Sequence, residues 1–384
     1  MNIGVDIRVL AKGTRTGIEE YTINLLSRLL SLDHKNNYKL FYNAFRKAPL
    51  KYFWLRRPNV KVHEFNYPNR FVLDPMAKFF GLPKVNRLLG GADVFFCPHF
   101  LLNRVSGKCK KVITFHDLSF EYFPEFFPWR KRSWHKFLAP KKRAYDAQKI
   151  IAVSHSTKND LVDLYNVPGE RIKVIYSGVG EEFRKLSGGK WKAPTVKKYK
   201  LPKKFILYFG TIEPRKNLAG LIKAYEIFRK KLTDRSQRPA LVIAGQKGWL
   251  YRDILALAKH SQFSRDIIFT DFVESEDKVY LYNLASAFVY PSFFEGFGFP
   301  PLEAMSCGVP VICSNTSSFP EVAGEGALMI DPYNFEEMAW AINEIWTDEN
   351  LSEFLVAKGF EQAKKFSWNK CAKETLEVLI GVAS

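Results

Sequence analysis

The stretch Glu295-Gly296-Phe297-Gly298-Phe299-Pro300-Pro301-Leu302-Glu303 is the part of the sequence that decides the fold. Gly296 and Gly298 lack a Cβ atom, so the backbone there can approach a ligand closely and adopt φ values that are closed to other residues. The two prolines suit the first turn of a helix, where a missing N–H group costs little. Such a helix start offers free N–H groups and a positive dipole end to a phosphate or a sugar oxygen. Carboxylates accept hydrogen bonds from hydroxyls, so Glu295 on the loop and Glu303 inside the helix predict a sugar-nucleotide site.

The flanking residues decide between such a site and a plain strand–loop–helix junction with two solvated glutamates. An apolar run at 287–292 predicts a strand before the loop, and residues 307–312 predict another buried strand after it. In full, the segment PSFFEGFGFPPLEAMSCGVPVICS at 291–314 resembles the donor-site signature of the retaining GT-B glycosyltransferases of family 4. The resemblance covers nearly the whole chain. It implies two Rossmann-like domains whose parallel sheets face each other across a cleft.

The alternation of apolar and helical segments independently predicts an α/β fold with parallel sheets. A chain of 384 residues exceeds what a single core usually organises, so we expect two domains. Residues 1–185 are predicted to form an N-terminal, acceptor-side domain, and the family resemblance implies that a C-terminal helix at 367–384 returns to it. Residues 186–203 are polar, basic and interrupted by Gly and Pro, which is typical of a linker. Residues 204–366 are predicted to form the domain that binds the nucleotide-sugar donor.

The composition is typical of a cytosolic enzyme. Apolar residues make up 47% of the sequence, and no run approaches the ~20 apolar residues that span a bilayer. The N-terminus has no basic region followed by an apolar run, so we expect no secretory signal. The cysteines number five and form no C-x-x-C pair, which favours reduced buried thiols over disulfides or zinc. We therefore predict a cytoplasmic protein, or one held peripherally at the inner face of the cell membrane.

The net charge of +19 is concentrated in the first half of the chain. Residues 1–200 contain 38 Lys and Arg against 16 Asp and Glu, a net charge of +22, which leaves 20 against 23 in residues 201–384, a net charge of −3. The densest basic stretch is 128–143, where aromatic residues alternate with cations. Such a pattern fits contact with an anionic bilayer, a nucleic-acid surface, or a solvated helix. Of these partners we retain the anionic membrane surface and expect no nucleic acid.

A second loop that could bind the donor lies at 210–217, where an apolar strand ends in Gly210-Thr211 and adjacent cations lead into a helix. Ligands of α/β proteins bind at such carboxyl ends of strands. Arg215 and Lys216 can neutralise a departing diphosphate, the role that a divalent metal has in other nucleotide enzymes. The segment is similar to the family's G-x-x-x-P-R-K-[NG] loop, although some relatives have Arg at the position of Thr211. Because the chain lacks an Asp-x-Asp pair, we expect no metal cofactor.

The family resemblance also implies contacts from other loops. Lys247 lies in a loop similar to one near the phosphates, and Val273 follows Asp271 in a segment similar to the one that packs on the base. Relatives often have Gly where Asp271 stands, which leaves the choice of base open. The residues implied in donor binding are Gly17, Gly210, Thr211, Lys247, Val273, Gly296, Phe297, Gly298, Phe299, Leu302 and Glu303.

On the acceptor side, His116 ends a predicted strand in the segment Thr114-Phe115-His116-Asp117-Leu118. A lone His is more often a packed structural residue. The similarity to the family's T-x-H-D-L segment instead implies that His116 faces the donor sugar and orients it by hydrogen bonding. Gly17 resembles the family's glycine turn near the phosphates. The acidic residues Glu19-Glu20 that follow depart from the family pattern and would repel a diphosphate.

The resemblance implies a retaining hexosyltransferase, most similar to mannosyltransferases of surface-polysaccharide assembly, with His116, Glu295, Arg215 and Lys216 in catalytic roles. The predicted donor is GDP-mannose, and the predicted acceptor is a saccharide or a lipid-linked sugar. Glu295 is expected to hold the sugar hydroxyls and Glu303 the ribose hydroxyls. Three alternatives stay open: a UDP-glucose or UDP-N-acetylglucosamine donor, epimerisation of a nucleotide sugar, and a non-enzymatic nucleic-acid-binding protein.

Overall fold

The computed structural model describes residues 1–13, 16–46, 48–232 and 238–383. The chain divides into two compact units. The first unit comprises Met1–Leu118, Arg130–Gly178 and Ser367–Ser384, and the second comprises Ser119–Trp129 and Val179–Phe366. Each unit is built on a parallel β-sheet with helices packed on it. These two Rossmann-like units confirm the predicted α/β fold class.

The strands are numbered in chain order. They are β1 (Asn2–Asp6), β2 (Asn37–Asn43), β3 (Val60–Phe65), β4 (Val94–Cys97), β5 (Lys110–Phe115), β6 (Lys149–Ala152), β7 (Ile172–Val174), β8 (Phe205–Phe209), β9 (Ala240–Ala244), β10 (Ile267–Asp271), β11 (Ala287–Tyr290), β12 (Val311–Ser314) and β13 (Ala327–Ile330).

The α-helices are numbered in the same way. They are α1 (Gly17–Leu32), α2 (Val85–Leu88), α3 (Ser119–Tyr122), α4 (Trp129–Leu138), α5 (Pro140–Tyr145), α6 (His155–Tyr165), α7 (Lys192–Tyr199), α8 (Leu218–Lys231), α9 (Arg252–His260), α10 (Lys278–Leu284), α11 (Phe299–Ser306), α12 (Phe319–Ala323), α13 (Phe335–Thr347), α14 (Glu349–Ala363) and α15 (Trp368–Ala383). Short 3-10 and π-helical turns connect several of them, including Asn69–Leu73, Met76–Phe80 and Pro214–Lys216.

The first unit contains a seven-stranded parallel sheet in the order β3-β2-β1-β4-β5-β6-β7. Its central strands β1 and β4 are almost wholly buried, as is typical of a parallel sheet. Helix α1 begins with a capping box between Thr16 and Glu19 and buries Tyr21, Leu25 and Leu29, which share one helical face. The C-terminal helix α15 completes this unit, with the ring of Trp368 5.9 Å from that of Tyr21.

The second unit contains a six-stranded parallel sheet in the order β10-β9-β8-β11-β12-β13. All five residues of β8 are buried, and so are all four of β11. The chain runs outward from β8 through β9 to β10, and then returns to the other side of β8 to form β11. The strand order therefore reverses between β8 and β11, and ligands of such sheets bind beside this switch point.

The structure corrects the predicted domain boundaries in two places. The predicted linker 186–203 contains helix α7 and is packed into the second unit. The Leu186 N–H donates to Asn283 Oδ1 at 2.8 Å, and the ring of Trp191 stacks on Tyr280 at 5.3 Å. In addition, Ser119–Trp129 and residues 179–185, which the sequence placed in the first domain, belong to the second unit. Residues 186–203 are mostly polar, so their sequence did not indicate that a few aromatic side chains attach this segment to the second unit.

Candidate functional site

The loops that follow β8 and β9 lie side by side at the switch point of the second unit. A Cβ atom on Gly245 would come 2.1 Å from the carbonyl oxygen of Gly210, so a glycine is required for this approach. Gly245 also has a φ of 137°. Beyond this contact, Ile212 and Lys247 pair as in a parallel ladder. The predicted residues Gly210, Thr211 and Lys247 are thus brought to one edge of the sheet.

Three of the predicted catalytic residues form one nearly buried ionic cluster. Arg215 Nη1 lies 3.0 Å from Glu295 Oε2, and Lys216 Nζ makes an ion pair with Glu295 Oε1. The Tyr290 hydroxyl accepts from Lys216 at 2.8 Å and lies 3.3 Å from Glu295. Arg215 also pairs with Glu213 at 3.0 Å. The two cations are therefore balanced by two carboxylates when no donor is present.

The charges in this cluster set its ionisation. Burial alone would raise the pKa of Glu295, but Arg215 and Lys216 outweigh that effect and lower it to about 2. Burial and the neighbouring Arg215 lower the pKa of Lys216, and the attraction of Glu295 opposes them. Glu295 is thus a carboxylate at any physiological pH.

Backbone contacts fix this cluster to the loop after β11. Arg215 Nη1 donates to the carbonyl oxygen of Phe294 at 2.6 Å, and the Phe293 N–H donates to the carbonyl oxygen of Arg215 at 3.0 Å. The Glu295 N–H donates to Ser317 Oγ at 3.0 Å. The loops after β8 and β11 therefore hold their charged side chains together as one structure.

Glu303 lies on helix α11 and is also buried and paired. Its Oε2 accepts from the Tyr282 hydroxyl at 2.8 Å, and its Oε1 lies 3.4 Å from Lys278 Nζ. A carboxylate has about four acceptor positions, so these two contacts leave capacity for ribose hydroxyls. The alternative of two solvated glutamates is excluded, because Glu295 and Glu303 are 9% and 4% exposed.

The glycine loop ends where the prolines predict a helix start. Helix α11 begins at Phe299 with proline in its first turn, which confirms that prediction. Gly298 precedes the helix with a φ of 97°, and a Cβ atom there would lie 3.0 Å from the ring of Phe319. The loop thus depends on glycine at position 298 for both its conformation and its space.

Several predicted donor-binding residues have buried side chains. Phe297 packs its ring on Phe299 at 5.2 Å and on Phe366 at 5.6 Å. Leu302 and Val273 also belong to the core, at 0% and 5% exposure. These three side chains support the loops from inside, so they shape the site through the backbone that they carry.

The loop at Lys247 contains an exposed ion pair. Lys247 Nζ lies 2.9 Å from Asp271 Oδ1, at the end of β10. Asp271 has a φ of 55°, a left-handed conformation that glycine adopts more readily than other residues. The Lys247 cation is therefore engaged by Asp271 in the absence of a ligand.

In the first unit, His116 lies at the carboxyl end of β5. Its Nε2 lies 2.8 Å from the carbonyl oxygen of Pro98, which can only accept, so this nitrogen carries the proton. The ring meets that of Tyr21 edge-on at 4.8 Å. Burial lowers the pKa of His116, so the imidazole is neutral at pH 7. Neutral imidazole suits the predicted role in hydrogen bonding.

Gly17 begins helix α1 and is exposed. Within the described part of the chain, a Cβ atom on Gly17 would meet nothing within 4 Å. Glu19, which the sequence suggested would repel a diphosphate, is turned back into the capping box with Thr16. The acidic residue at this position therefore stabilises the start of the helix.

Sequence reasoning missed three residues that contact the two glutamates, Lys278, Tyr282 and Tyr290, and it also missed Glu213, which pairs with Arg215. Glu213 is part of the recognised Gly210–Asn217 loop, so its charge offered a local signal. The two tyrosines lie in an apolar helix and an apolar strand, where no local pattern distinguishes a hydrogen-bonding hydroxyl from a core ring. Their roles come only from long-range packing.

The described residues contain neither a cluster of side chains that could hold a metal ion nor a membrane-spanning helix. No group of three or more His, Cys, Asp and Glu side chains among them is arranged to hold a metal ion. None of their helices is long and apolar enough to cross a membrane.

Family models and a curated relative match this chain over most of its length. Residues 190–362 match the model of "Glycosyl transferases group 1", and residues 15–183 match that of "Glycosyltransferase Family 4". The chain is 32% identical to the O-antigen chain mannosyltransferase B of Escherichia coli over 383 residues, which covers 94% of this chain and 95% of the relative.

Solved structures share the fold at low sequence identity. A sucrose-phosphate synthase from Thermosynechococcus elongatus has a TM-score of 0.78 and 18% identity, and the match covers 100% of both chains. Anabaena HepE in complex with UDP and glucose has a TM-score of 0.71 and 18% identity, over 99% of each chain. These likenesses establish the two-unit fold.

Proposed function

This chain belongs to glycosyltransferase family 4, and we propose that it is a retaining hexosyltransferase that moves mannose from GDP-mannose to a saccharide or lipid-linked acceptor. The similarity to an O-antigen mannosyltransferase over nearly the full length supports the choice of sugar. The donor is expected to bind at the switch point of the second unit, beside Gly210 and the Glu295–Glu303 loop.

The observation that carries this proposal is the cluster of Arg215, Lys216 and Glu295. It places two cations and one carboxylate within ion-pairing distance at the edge of the sheet where α/β proteins bind nucleotides. A leaving diphosphate needs fixed positive charge, and an oxocarbenium-like sugar needs negative charge beside it.

In the proposed mechanism, the acceptor hydroxyl attacks the anomeric carbon on the face that the diphosphate leaves, so the configuration is retained. The diphosphate accepts the hydroxyl proton as the bond to the sugar breaks. Arg215, Lys216 and the N-terminus of α11 stabilise the departing charge. Glu295 holds the sugar hydroxyls and stabilises positive charge on the ring, and Glu303 holds the ribose.

His116 takes part in this proposal by orientation. Because its Nε2–H is donated to Pro98, the neutral ring presents Nδ1 as its acceptor. That nitrogen suits a hydroxyl of the transferred sugar, and its low pKa prevents it from becoming a cation near the developing positive charge. We further propose that Arg215 and Lys216 replace a divalent metal.

A donor panel with product analysis tests the proposal. The protein is incubated with GDP-mannose, UDP-glucose or UDP-N-acetylglucosamine and a mannose-terminated oligosaccharide, with and without EDTA, and the product is analysed by NMR. We expect transfer from GDP-mannose, an α-linkage that matches the donor, and equal rates with EDTA. Preferred use of a UDP-sugar would refute the donor, a β-linkage would refute retention, and loss of activity in EDTA would refute metal independence.

A further inference from the structure

The first unit carries an exposed apolar surface that the proposed reaction does not use. The helical turns Asn69–Leu73 and Met76–Phe80 expose three phenylalanines within ten residues. Phe71 is 86% exposed, Phe79 70% and Phe80 76%, and Met76 and Leu82 nearby are also exposed. We call these five residues the Phe71 patch. Single exposed apolar residues are common, but a concentration of large ones marks an interaction site.

The opposite side of this segment anchors it firmly. Leu73, Asp74 and Ala77 are buried, and Asp74 makes an ion pair with the buried Arg8 at 3.5 Å. Arg104 Nε donates to the carbonyl oxygen of Ala77 at 3.1 Å. The exposed rings therefore stand on a fixed base, so their exposure follows from the fold.

The same segment attaches the patch to the basic helix α4. The Arg70 guanidinium lies 5.1 Å from the centre of the Trp134 ring, and Lys78 Nζ lies 4.1 Å from that of Phe137. Lys78 also donates to the Phe137 carbonyl oxygen at 2.7 Å. Two aromatic residues of α4, Trp134 and Phe137, are thus partly covered, whereas Trp129 at its start is 69% exposed.

Exposed cations lie on the helix that the segment of the patch contacts. Helix α4 and the start of α5 expose a set of cations without an acidic residue between 129 and 142. They are Arg130, Lys131, Arg132, Lys136, Lys141 and Lys142. Binding to an anionic bilayer has two components: apolar side chains leave water for the membrane interface, and cations at the interface attract the lipid phosphates. Each cation adds a small, salt-sensitive attraction, and the rings add the apolar burial.

We propose that the Phe71 patch inserts into the headgroup region of an anionic phospholipid bilayer, with the cations of α4 and α5 on its lipid phosphates. The aliphatic members Met76 and Leu82 favour lipid over nucleic acid, because they gain from an acyl environment and cannot stack on bases. This proposal concerns a surface of the first unit and does not depend on the donor or on the transfer reaction.

Vesicle co-sedimentation tests the proposal on the full chain without donor. We expect binding to vesicles of phosphatidylcholine with phosphatidylglycerol, and little to phosphatidylcholine alone. The variant Phe71→Ser/Phe79→Ser should bind at least about a hundredfold more weakly, since each buried ring contributes roughly tenfold or more. The matched control Phe45→Ser/Phe53→Ser removes two similarly exposed rings of the same unit and should bind like the wild type. Equal losses in both variants, or no loss in either, would overturn the proposal.

Spin labelling gives a second measurement that does not depend on how well the serine variant folds. All five native cysteines are buried, so Phe79→Cys or the control Phe53→Cys can be labelled selectively with a nitroxide. On anionic vesicles the label at 79 should become accessible to oxygen and shielded from a water-soluble nickel complex, whereas the label at 53 should not change. Equal shielding at both positions would overturn the proposal. So would tighter binding to a short RNA that displaces the vesicles.

Discussion

Replacing Glu295 by glutamine should make the protein bind a free nucleoside diphosphate more tightly while it loses turnover. In the structure Glu295 pairs with Arg215 and Lys216, the two cations that we propose bind the diphosphate. At 3.0 Å and an effective dielectric constant of about 20, the pair with Arg215 alone corresponds to about 5 kcal/mol of Coulomb energy. Removing one member of such a buried cluster costs about 3–5 kcal/mol, because the cations are left poorly compensated. If the diphosphate recovers a third of that cost by pairing with the cations, its affinity for the variant is about tenfold higher than for the wild type.

Calorimetry with GDP on wild type and Glu295→Gln measures this effect. Thermal melting with and without GDP shows in parallel that the variant folds and that GDP stabilises it more than the wild type. Turnover should fall about a hundredfold if Glu295 has the proposed role of stabilising the transition state. Glu303→Gln is the comparison variant: it also neutralises a buried carboxylate, but one that pairs with Tyr282 and Lys278, so it should not tighten GDP binding. Unchanged or weaker GDP binding by Glu295→Gln would refute competition between this carboxylate and the diphosphate.

Three further predictions concern other parts of the site. Glu303→Gln should weaken GDP binding about tenfold with little change in kcat, since a ribose contact acts equally in the ground and transition states. Calorimetry measures the affinity and steady-state kinetics measure kcat. Unchanged affinity would contradict the ribose role. The stabilisation that depends on a neutral His116 should be complete above about pH 6.5, the pKa of histidine in the unfolded chain. It should be lost as the pH falls from there toward the lower pKa of His116 in the folded protein. The free energy of unfolding of His116→Gln, measured with urea, should therefore depend less on pH than that of the wild type. Gly298→Ala should lower the free energy of unfolding, measured with urea, by about 1–3 kcal/mol because Gly298 has a positive φ. Gly17→Ala, with open space around it, should lower it by less than about 0.5 kcal/mol. Equal losses in the two variants would contradict the strain argument.

The same cluster connects stability to pH at the acid end. The folded pKa of Glu295 is about 2, below its ordinary value of about 4.3. Its ionic contacts therefore contribute fully above pH 4.3 and are lost as the pH falls toward 2. Glu295→Gln should be less sensitive to acid over this window, which urea unfolding at pH 5 and pH 3 measures. An unchanged sensitivity would show that other carboxylates dominate.

The sequence alone was sufficient for the features that depend on neighbouring residues. Glycine and proline at 298–301 restrict the backbone directly, so the helix start at Phe299 could be predicted from them. The alternation of short apolar runs with helical periodicity likewise predicted two parallel sheets, because buried parallel strands must be apolar on both faces. The uneven charge of the two halves follows from counting.

Only the tertiary structure decided which charges meet. Lys216 and Glu295 are 79 residues apart, and the pairing depends on β8 and β11 being neighbours in the sheet. The sequence assigned Glu295 to the sugar and the cations to the diphosphate as separate elements. Packing brings Glu295 and the two cations into contact. It also adds Tyr290, from a strand whose sequence pattern indicated only a core position.

Surface exposure was equally hidden from the sequence. The basic stretch at 128–143 predicted apolar contacts from its own aromatic residues, yet Arg70 and Lys78 cover Trp134 and Phe137. Besides Trp129, the exposed rings lie on a segment that the charge pattern did not distinguish. Whether a phenylalanine is buried depends on which elements pack over it, and a local sequence pattern does not contain that information. The residues near 300 are fixed by their own backbone chemistry, whereas the partners of the glutamates and the exposed surface are fixed by contacts between distant parts of the chain.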